Sequence, residues 1–168
     1  MIWIACALAQ EADGRPTWEL HRTVEGVVWD LQGRELRRNG VPVAREVLGE
    51  PVFAGELAAW VAVVEAPVGT AAFVWRAGEV TQVVGTDTRP DRLALSGDGT
   101  RIAYVSGRSG WASVYVRSLV TGDEAQLTNV GLVRAASGPP EGFVAPPREA
   151  PVFRGDQVCW AERCVGVP

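Results

Sequence analysis

A hairpin pattern returns three times along this sequence and leaves few folds open to it. Each copy is a short apolar strand, a turn built on Gly and an acidic residue, and a strand with a large aromatic side chain. Helical periodicity is hard to find, and short alternating strands between such turns predict antiparallel sheets. The copies span 51–61, 93–105 and 151–161, with Trp60, Tyr104 and Trp160 as their aromatic residues. A second hairpin type, in which the aromatic strand comes first, covers 27–38, 73–84 and 114–127.

The spacing of these hairpins matches the blade of a β-propeller. Trp60 and Tyr104 are 44 residues apart, and Trp29 and Trp75 are 46 apart. A repeat of roughly 40–45 residues with four strands is typical of a propeller blade. We therefore predict an all-β fold of four-stranded antiparallel sheets in about three blades, either a partial propeller or half of a six-bladed dimer. Complete blades are expected at about 50–84 and 92–128, with the hairpins at 27–38 and 151–163 as two halves of a third.

One repeat, over residues 92–129, can be read in detail. Asp98-Gly99 is a hairpin turn dipeptide, and Ser96 can bond the neighbouring backbone amides. Ile102 and Tyr104 fall on one face of the following strand, and Ala103 falls on the other. This segment resembles the repeat of TolB-type β-propellers, found in bacterial envelope proteins and in relatives of prolyl oligopeptidase. The residues that carry the repeat motif in structural roles are Ser96, Asp98, Gly99, Tyr104, Ser109, Gly110, Leu127 and Thr128.

The N-terminus and one internal segment differ in composition from the repeats. Residues 1–9 are mostly apolar and end in Ala7-Leu8-Ala9, a small-x-small pattern like that of a cleaved signal peptide. Acylation of Cys6 is the alternative interpretation of the same stretch. Residues 10–168 are expected to form a single propeller-like domain, with a Pro-rich insertion at 131–150 as a surface loop.

Two of the three cysteines, Cys159 and Cys164, lie close together, with four residues between them. Zinc sites need more Cys or His nearby, and the only histidine is His21. If the chain is exported, a disulfide that closes a terminal turn follows from this spacing. Two unpaired structural thiols are the alternative.

The sequence carries no recognised catalytic or cofactor-binding motif. There is no nucleophile elbow, phosphate-binding loop, HExxH helix or dinucleotide fingerprint, so neither an enzyme nor a cofactor is predicted. A net charge of −4 excludes the basic footprint of a nucleic-acid binder, and no apolar run is long enough for a membrane span. Asp123 and Glu124 are interpreted as solvated loop charges. Arg108 and Trp111, in a loop between two strands, are the candidate ligand contacts.

These observations lead to one main functional hypothesis and one alternative. The first is a non-catalytic propeller-type binding or scaffold module of the bacterial cell envelope, periplasmic or extracellular, that recognises a protein or peptide partner through its loops. The alternative is a propeller fragment associated with a hydrolase whose catalytic part lies on another chain. A homodimer that completes a six-bladed ring, and a monomer capped by residues 10–24 and 131–149, both remain open, because an open stack is expected to expose apolar end faces.

Overall fold

The computed structural model describes residues 7–10, 16–65, 68–132, 138–145, 149–160 and 162–167. Within these ranges the regular structure is almost entirely β, with one short 3-10 turn at Thr86–Thr88, and no helix is long and apolar enough to cross a membrane. The strands are β1 (Ala7–Gln10), β2 (Pro16–Val24), β3 (Val27–Gly33), β4 (Glu35–Arg38), β5 (Val41–Ala44), β6 (Val47–Ala54), β7 (Leu57–Glu65), β8 (Val68–Arg76), β9 (Glu79–Val84), β10 (Asp91–Leu95), β11 (Arg101–Ser106), β12 (Ser113–Ser118), β13 (Glu124–Gln126), β14 (Val152–Arg154), β15 (Gln157–Trp160) and β16 (Arg163–Gly166).

The strands form four antiparallel sheets, and the strand order within each sheet follows the chain. Sheet A is β1–β5, sheet B is β6–β9, sheet C is β10–β13 and sheet D is β14–β16. Strand β2 contacts β6, β6 contacts β10, and β10 contacts β14, so the sheets stack in chain order with these strands as an inner row. The predicted all-β blade architecture is confirmed, and sheets B and C occupy the two segments predicted as complete blades.

The hairpins at 27–38 and 151–163 are not two halves of one blade, as the sequence pattern suggested. The first is β3–β4 in the middle of five-stranded sheet A, and the second begins the separate sheet D. The difference arises because residues 16–24, part of the segment 10–24 that the monomer hypothesis uses as a cap, pair with β3 along its length, from Trp18 opposite Gly33 to Val24 opposite Val27. Since β2 lies in the inner row, β3 and β4 correspond to the second and third strands of sheets B and C, although β1 precedes them in sheet A.

Three apolar interfaces hold the stack together. Trp60, Tyr104 and Trp160 each lie on the second strand of a sheet, are buried, and pack toward the preceding sheet, as their repeat positions predict. Trp29 is buried as well, but it faces sheet B and meets Trp75 edge-on at 5.5 Å, so these two residues are not repeat equivalents.

Alternation along each strand explains how one sheet serves two interfaces. Ile102 and Tyr104 pack toward sheet B, and Ala103 packs toward sheet D, as predicted. On β7, Ala58 and Ala62 flank Trp60 on the face toward sheet A. These small residues let neighbouring sheets approach closely around each large aromatic ring.

The free face of sheet A is polar, contrary to the apolar end face expected of an open stack. Since Leu20, Trp29 and Leu31 face sheet B, the alternate positions on β2 and β3 face outward. They include His21 and Asp30, whose Nδ1 and Oδ1 atoms lie 2.5 Å apart, with the His21 side chain 67% exposed. Other outward positions of β2–β4 carry polar or charged side chains, at Glu19, Thr23, Gln32, Glu35 and Arg37. A polar outer face is typical of a terminal repeat that faces water.

Candidate functional site

The loops fall at two ends of the stack, and the candidate ligand contacts lie at one of them. We call this end the loop end. It holds the turns between the second and third strands of sheets B, C and D, the corresponding β3–β4 turn of sheet A, and the connections between sheets. Arg34, after β3, pairs with Glu46, between sheets A and B, at 2.7 Å. Ser106, at the end of β11, donates a hydrogen bond to the carbonyl of Thr88, between sheets B and C. The loop at 107–112, with Arg108 and Trp111, is thereby fastened to the neighbouring connection.

Arg108 belongs to a network of polar and aromatic side chains at the outer side of sheet C. Its guanidinium donates to Glu124 and lies over the ring of Tyr115, 4.0 Å from the centroid. The Tyr104 hydroxyl donates to the other oxygen of the same carboxylate. Strand pairing explains the cluster, because Tyr104 is opposite Tyr115 and Glu124 is opposite Arg117, all on one face. The interpretation of Glu124 as a solvated loop charge is wrong, since it lies in β13 and bonds two side chains.

Burial and charge pairing shift the acid–base behaviour of this network. Burial, then the hydrogen bond to Glu124, raises the pKa of Tyr104 well above its ordinary value, so its hydroxyl remains a donor. For Arg108, desolvation works to lower the pKa, but the hydrogen bond to Glu124 and the interactions with Tyr104 and Tyr115 together outweigh it, and the net shift is upward. The cluster therefore keeps a fixed cation at neutral pH, with 29% of the Arg108 side chain exposed. It offers a charged and aromatic surface.

Trp111 lies in the same loop but is engaged within the protein. Its ring contacts the ring of Phe143 at a centroid distance of 4.7 Å. Beside it, the Asn129 side chain donates to the carbonyls of Ala112 (3.2 Å) and Val144 (2.9 Å) and accepts from the Val144 amide (2.7 Å). Residues 138–145 of the predicted insertion are thus fixed to the loop end of sheet C. Asn129 is the last residue of the repeat at 92–129, but the repeat pattern does not predict its bonds to Ala112 and Val144.

The first turn of sheet C is built as its sequence predicts. Ser96 donates to Asp98 at 2.6 Å, and the Thr100 amide and hydroxyl donate to the same carboxylate at 3.0 and 2.9 Å. These bonds, that from Ser96 first, lower the pKa of Asp98 to about 2. Gly99 takes a positive φ of 67°, and a Cβ there would lie 2.2 Å from Leu57 Cδ1, so the position requires glycine. This turn lies away from the loop end.

The remaining motif residues close the loop end of sheet C. The Thr128 hydroxyl accepts from the Val114 amide at 3.0 Å, and the Leu127 amide donates to the Val114 carbonyl at 2.8 Å. Ser109 donates to the carbonyl of Trp111 at 3.3 Å, and Gly110 has a φ of 92°. All of these contacts shape the turn around Arg108.

A disulfide joins Cys159 and Cys164, which face each other across β15 and β16 with a Cα–Cα distance of 4.0 Å. This outcome agrees with the predicted bridge. Cys6, and with it the acylation hypothesis, lies outside the described residues, as does most of the predicted signal peptide. Only Ala7–Ala9 of that stretch are described, as part of β1.

The described part of the chain contains no cluster of metal-ligating side chains. No group of three or more His, Cys, Asp and Glu side chains there could hold a metal ion. His21 sits on the outward face of sheet A, on a different sheet from Arg108 and Trp111. The sequence missed Glu124, Tyr115 and Asn129 as organisers of the loop end. The role of Glu124 could have been predicted, because the second hairpin type places it on the strand beside β12, near Arg117.

Comparison with known proteins identifies the fold. The chain superimposes on TolB from Acinetobacter baumannii with a TM-score of 0.54 and 18% identity, covering 95% of this chain and 38% of that one. A protein assigned as TolB from Agrobacterium tumefaciens matches with a TM-score of 0.47 and 15% identity, over 74% of this chain and 47% of its own. An acylaminoacyl peptidase in complex with Z-Gly-Gly-Phe-chloromethyl ketone matches with a TM-score of 0.46 and 16% identity, over 67% and 16%.

The match to TolB from Acinetobacter baumannii confirms the resemblance to TolB-type propellers at the level of the fold. The chain spans less than half the length of each of these proteins. No family model matches the chain, and no curated protein matches it either.

Proposed function

We propose that the chain is a non-catalytic propeller-type binding module that recognises a protein or peptide partner through the loop end of sheet C. The observation that supports this most is the arrangement of Arg108. Its guanidinium is held by Glu124, backed by the ring of Tyr115, and still partly open to solvent. A pre-positioned arginine with aromatic neighbours is the side-chain chemistry that dominates protein–protein hot spots.

The rigid surroundings of Arg108 favour recognition over a merely structural turn. Asn129 and Trp111 fix the 138–145 segment beside the loop, so a partner would meet a preformed surface. Preformed surfaces bind with a smaller loss of conformational entropy than mobile loops do. A carboxylate on the partner could take the exposed side of the guanidinium, since arginine binds planar anions through several donors at once.

We further propose an envelope location, periplasmic or extracellular. The Cys159–Cys164 disulfide supports it, because structural disulfides persist in oxidising compartments. The signal-like residues 1–9 agree with it. A hydrolase-associated propeller fragment stays a prediction, as does lipid anchoring at Cys6.

Replacement of Arg108 tests the recognition surface. Peptides selected from a displayed random library on the wild-type chain are expected to bind Arg108→Gln at least tenfold more weakly, because the anchoring cation is gone. Arg154→Gln is the matched control: this arginine is exposed on β14, beside the turn at the opposite end of the stack, and its loss should leave the affinity unchanged. Fluorescence anisotropy measures both.

Thermal unfolding of the two variants shows whether a weaker affinity reflects a lost contact or a lost fold. The proposal fails if no peptide is selected, or if folded Arg108→Gln binds the selected peptides as tightly as the wild type does.

Oligomeric state belongs to the same proposal. Sheet A presents His21, Asp30 and other polar or charged groups on its free face, which would lose hydration if another sheet packed there. We therefore favour a single chain as the binding unit over a ring that two chains complete. The homodimer stays an untested prediction.

A further inference from the structure

A cavity of about 450 Å³ lies between the outer strands of sheets A and B, and we call it the A–B cavity. The side chains that line it come from β4 and β5 on one wall and from β8 and β9 on the other, and they include Arg38, Val41, Val43, Trp75 and Val80. Nearer the inner row, the rings of Trp29 and Trp60 fill the same interface. The smaller valines of β5 and β9 leave space, and its volume is in the range of small-molecule sites.

Strand pairing explains why these side chains meet. Arg38 is opposite Trp29 on one side and Val41 on the other, and Trp29 faces sheet B. Trp75 is opposite Val80, and Trp75 faces sheet A. Because residues directly opposite each other on antiparallel strands share one face, Arg38, Val41 and Val80 are all directed into the space between the two sheets.

The Arg38 guanidinium is oriented by an aromatic ring but lacks an anionic partner. Its central carbon lies over the Trp75 ring, 4.4 Å from the centroid. With the described part of the chain it forms neither an ion pair nor a hydrogen bond, and its buried Nε atom has no acceptor. A buried donor without an acceptor costs free energy, which a bound anion would recover. The cation is therefore held in place for an acceptor from outside the chain.

The interface of sheets B and C contains the same arrangement in a completed form. There the Arg108 guanidinium lies over the ring of Tyr115, and the Glu124 carboxylate accepts its hydrogen bond. Arg38 and Trp75 provide the equivalent cation and ring, but no carboxylate of the described residues pairs with them. A ligand that brings its own carboxylate would complete the arrangement.

We propose that the A–B cavity binds a small free carboxylic acid with an apolar body. The carboxylate would accept hydrogen bonds from Arg38, because a planar guanidinium can donate to both of its oxygens. The apolar body would cover Val41 and Val80, which are 64% and 46% exposed, and burial of this surface would add to the affinity. One cation and a cavity of this size match one monoanion, so an aromatic or branched aliphatic acid is the expected class.

This site is separate from the recognition surface at the loop end. It lies between sheets A and B, whereas Arg108 and Trp111 belong to the loop at 107–112 of sheet C. The Arg108→Gln experiment can therefore fail while the A–B cavity binds its ligand, and the reverse also holds.

Phenylacetate and its neutral amide, phenylacetamide, test the proposal, since they share the ring and differ in the carboxylate. We expect phenylacetate to bind saturably and phenylacetamide to bind at least tenfold more weakly. Arg38→Gln should weaken phenylacetate binding at least tenfold. Arg37→Gln is the matched control, because this neighbour on β4 faces away from sheet B and pairs with Glu35, so its loss should leave the affinity unchanged. Isothermal titration calorimetry measures the affinities, and circular dichroism checks that the variants are folded.

A second pair of variants keeps Arg38 and changes its surroundings. Val80→Glu would supply the missing carboxylate from the chain itself, so it should bind phenylacetate at least tenfold more weakly than Val80→Gln, which adds a side chain of the same size without charge. Both changes fall at a half-exposed position and should leave the fold intact. In methyl NMR spectra of the wild type, phenylacetate should shift the signals of Val41 and Val43.

The proposal is overturned if phenylacetate does not bind saturably, if phenylacetamide or folded Arg38→Gln binds equally well, or if Val80→Glu and Val80→Gln have the same affinity. It is also overturned if the peptide N-acetyl-Ala-Ala-Phe binds the wild type at least tenfold more tightly than phenylacetate does. The site would then recognise the C-terminus of a protein and not a free acid.

Discussion

Trp60→Ala is expected to lower the free energy of unfolding by about 3–5 kcal/mol, as large-to-small changes at buried aromatic residues do. Trp60 is 1% exposed and lies at the interface of sheets A and B with Trp29 and Trp75. Its ring also stacks on Phe73 at a centroid distance of 6.2 Å. The cavity would open between two sheets that are each kept rigid by their own strand hydrogen bonds, so relaxation could fill little of it.

Chemical denaturation followed by circular dichroism measures this loss. Val68→Ala is the control, because Val68 is 85% exposed and its replacement should change stability by less than about 0.5 kcal/mol. A loss below about 1 kcal/mol for Trp60→Ala would contradict the packing of sheet A on sheet B.

Asn129→Ala is expected to lower the free energy of unfolding by about 2–4 kcal/mol, the largest effect that we predict outside the apolar interfaces. The buried amide satisfies the carbonyls of Ala112 and Val144 and the amide of Val144. Alanine would leave these groups without their partner, and it would also have to adopt the positive φ of 55° found at this position.

Asn129→Gly separates the two contributions, since glycine adopts that φ freely but carries no amide. We expect Asn129→Gly to lower the free energy of unfolding by most of the amount that Asn129→Ala loses. Urea unfolding gives the free energies, and hydrogen exchange at the Val144 amide should accelerate in both variants. Unchanged exchange at Val144 would show that the hydrogen bonds between Asn129 and Val144 do not form in solution.

Local patterns in the sequence were sufficient to predict the blades and their aromatic cores. Each hairpin is defined within about twelve residues by alternating side chains and by turns such as Ser96–Gly99, so no distant contact has to be known. Burial of Trp60, Tyr104 and Trp160 follows from the same alternation. The disulfide also follows from a short local segment, in which Cys159 and Cys164 face each other across one turn.

Contacts between distant segments could not be predicted in the same way. The role of β2 depends on pairing with β3 and on packing against β6, and its alternating sequence also fits an exposed cap. Asn129 meets Val144 across a Pro-rich stretch that has no strand pattern. Glu124 gains its partners from Tyr104, on another strand, and from Arg108, in a loop. Such pairings depend on the stacked sheets, not on local propensity.

The four described sheets stack in one row, and sheet A presents its polar free face to water. The most direct test of this arrangement is the mass of the folded chain in solution, measured by static light scattering over a wide range of concentrations. We expect a constant mass near the 18.0 kDa of one chain, because the charged free face of sheet A opposes stacking of a second copy. A mass near that of two chains that persists on dilution would contradict a free face of sheet A that is open to water. It would favour a ring completed by two chains.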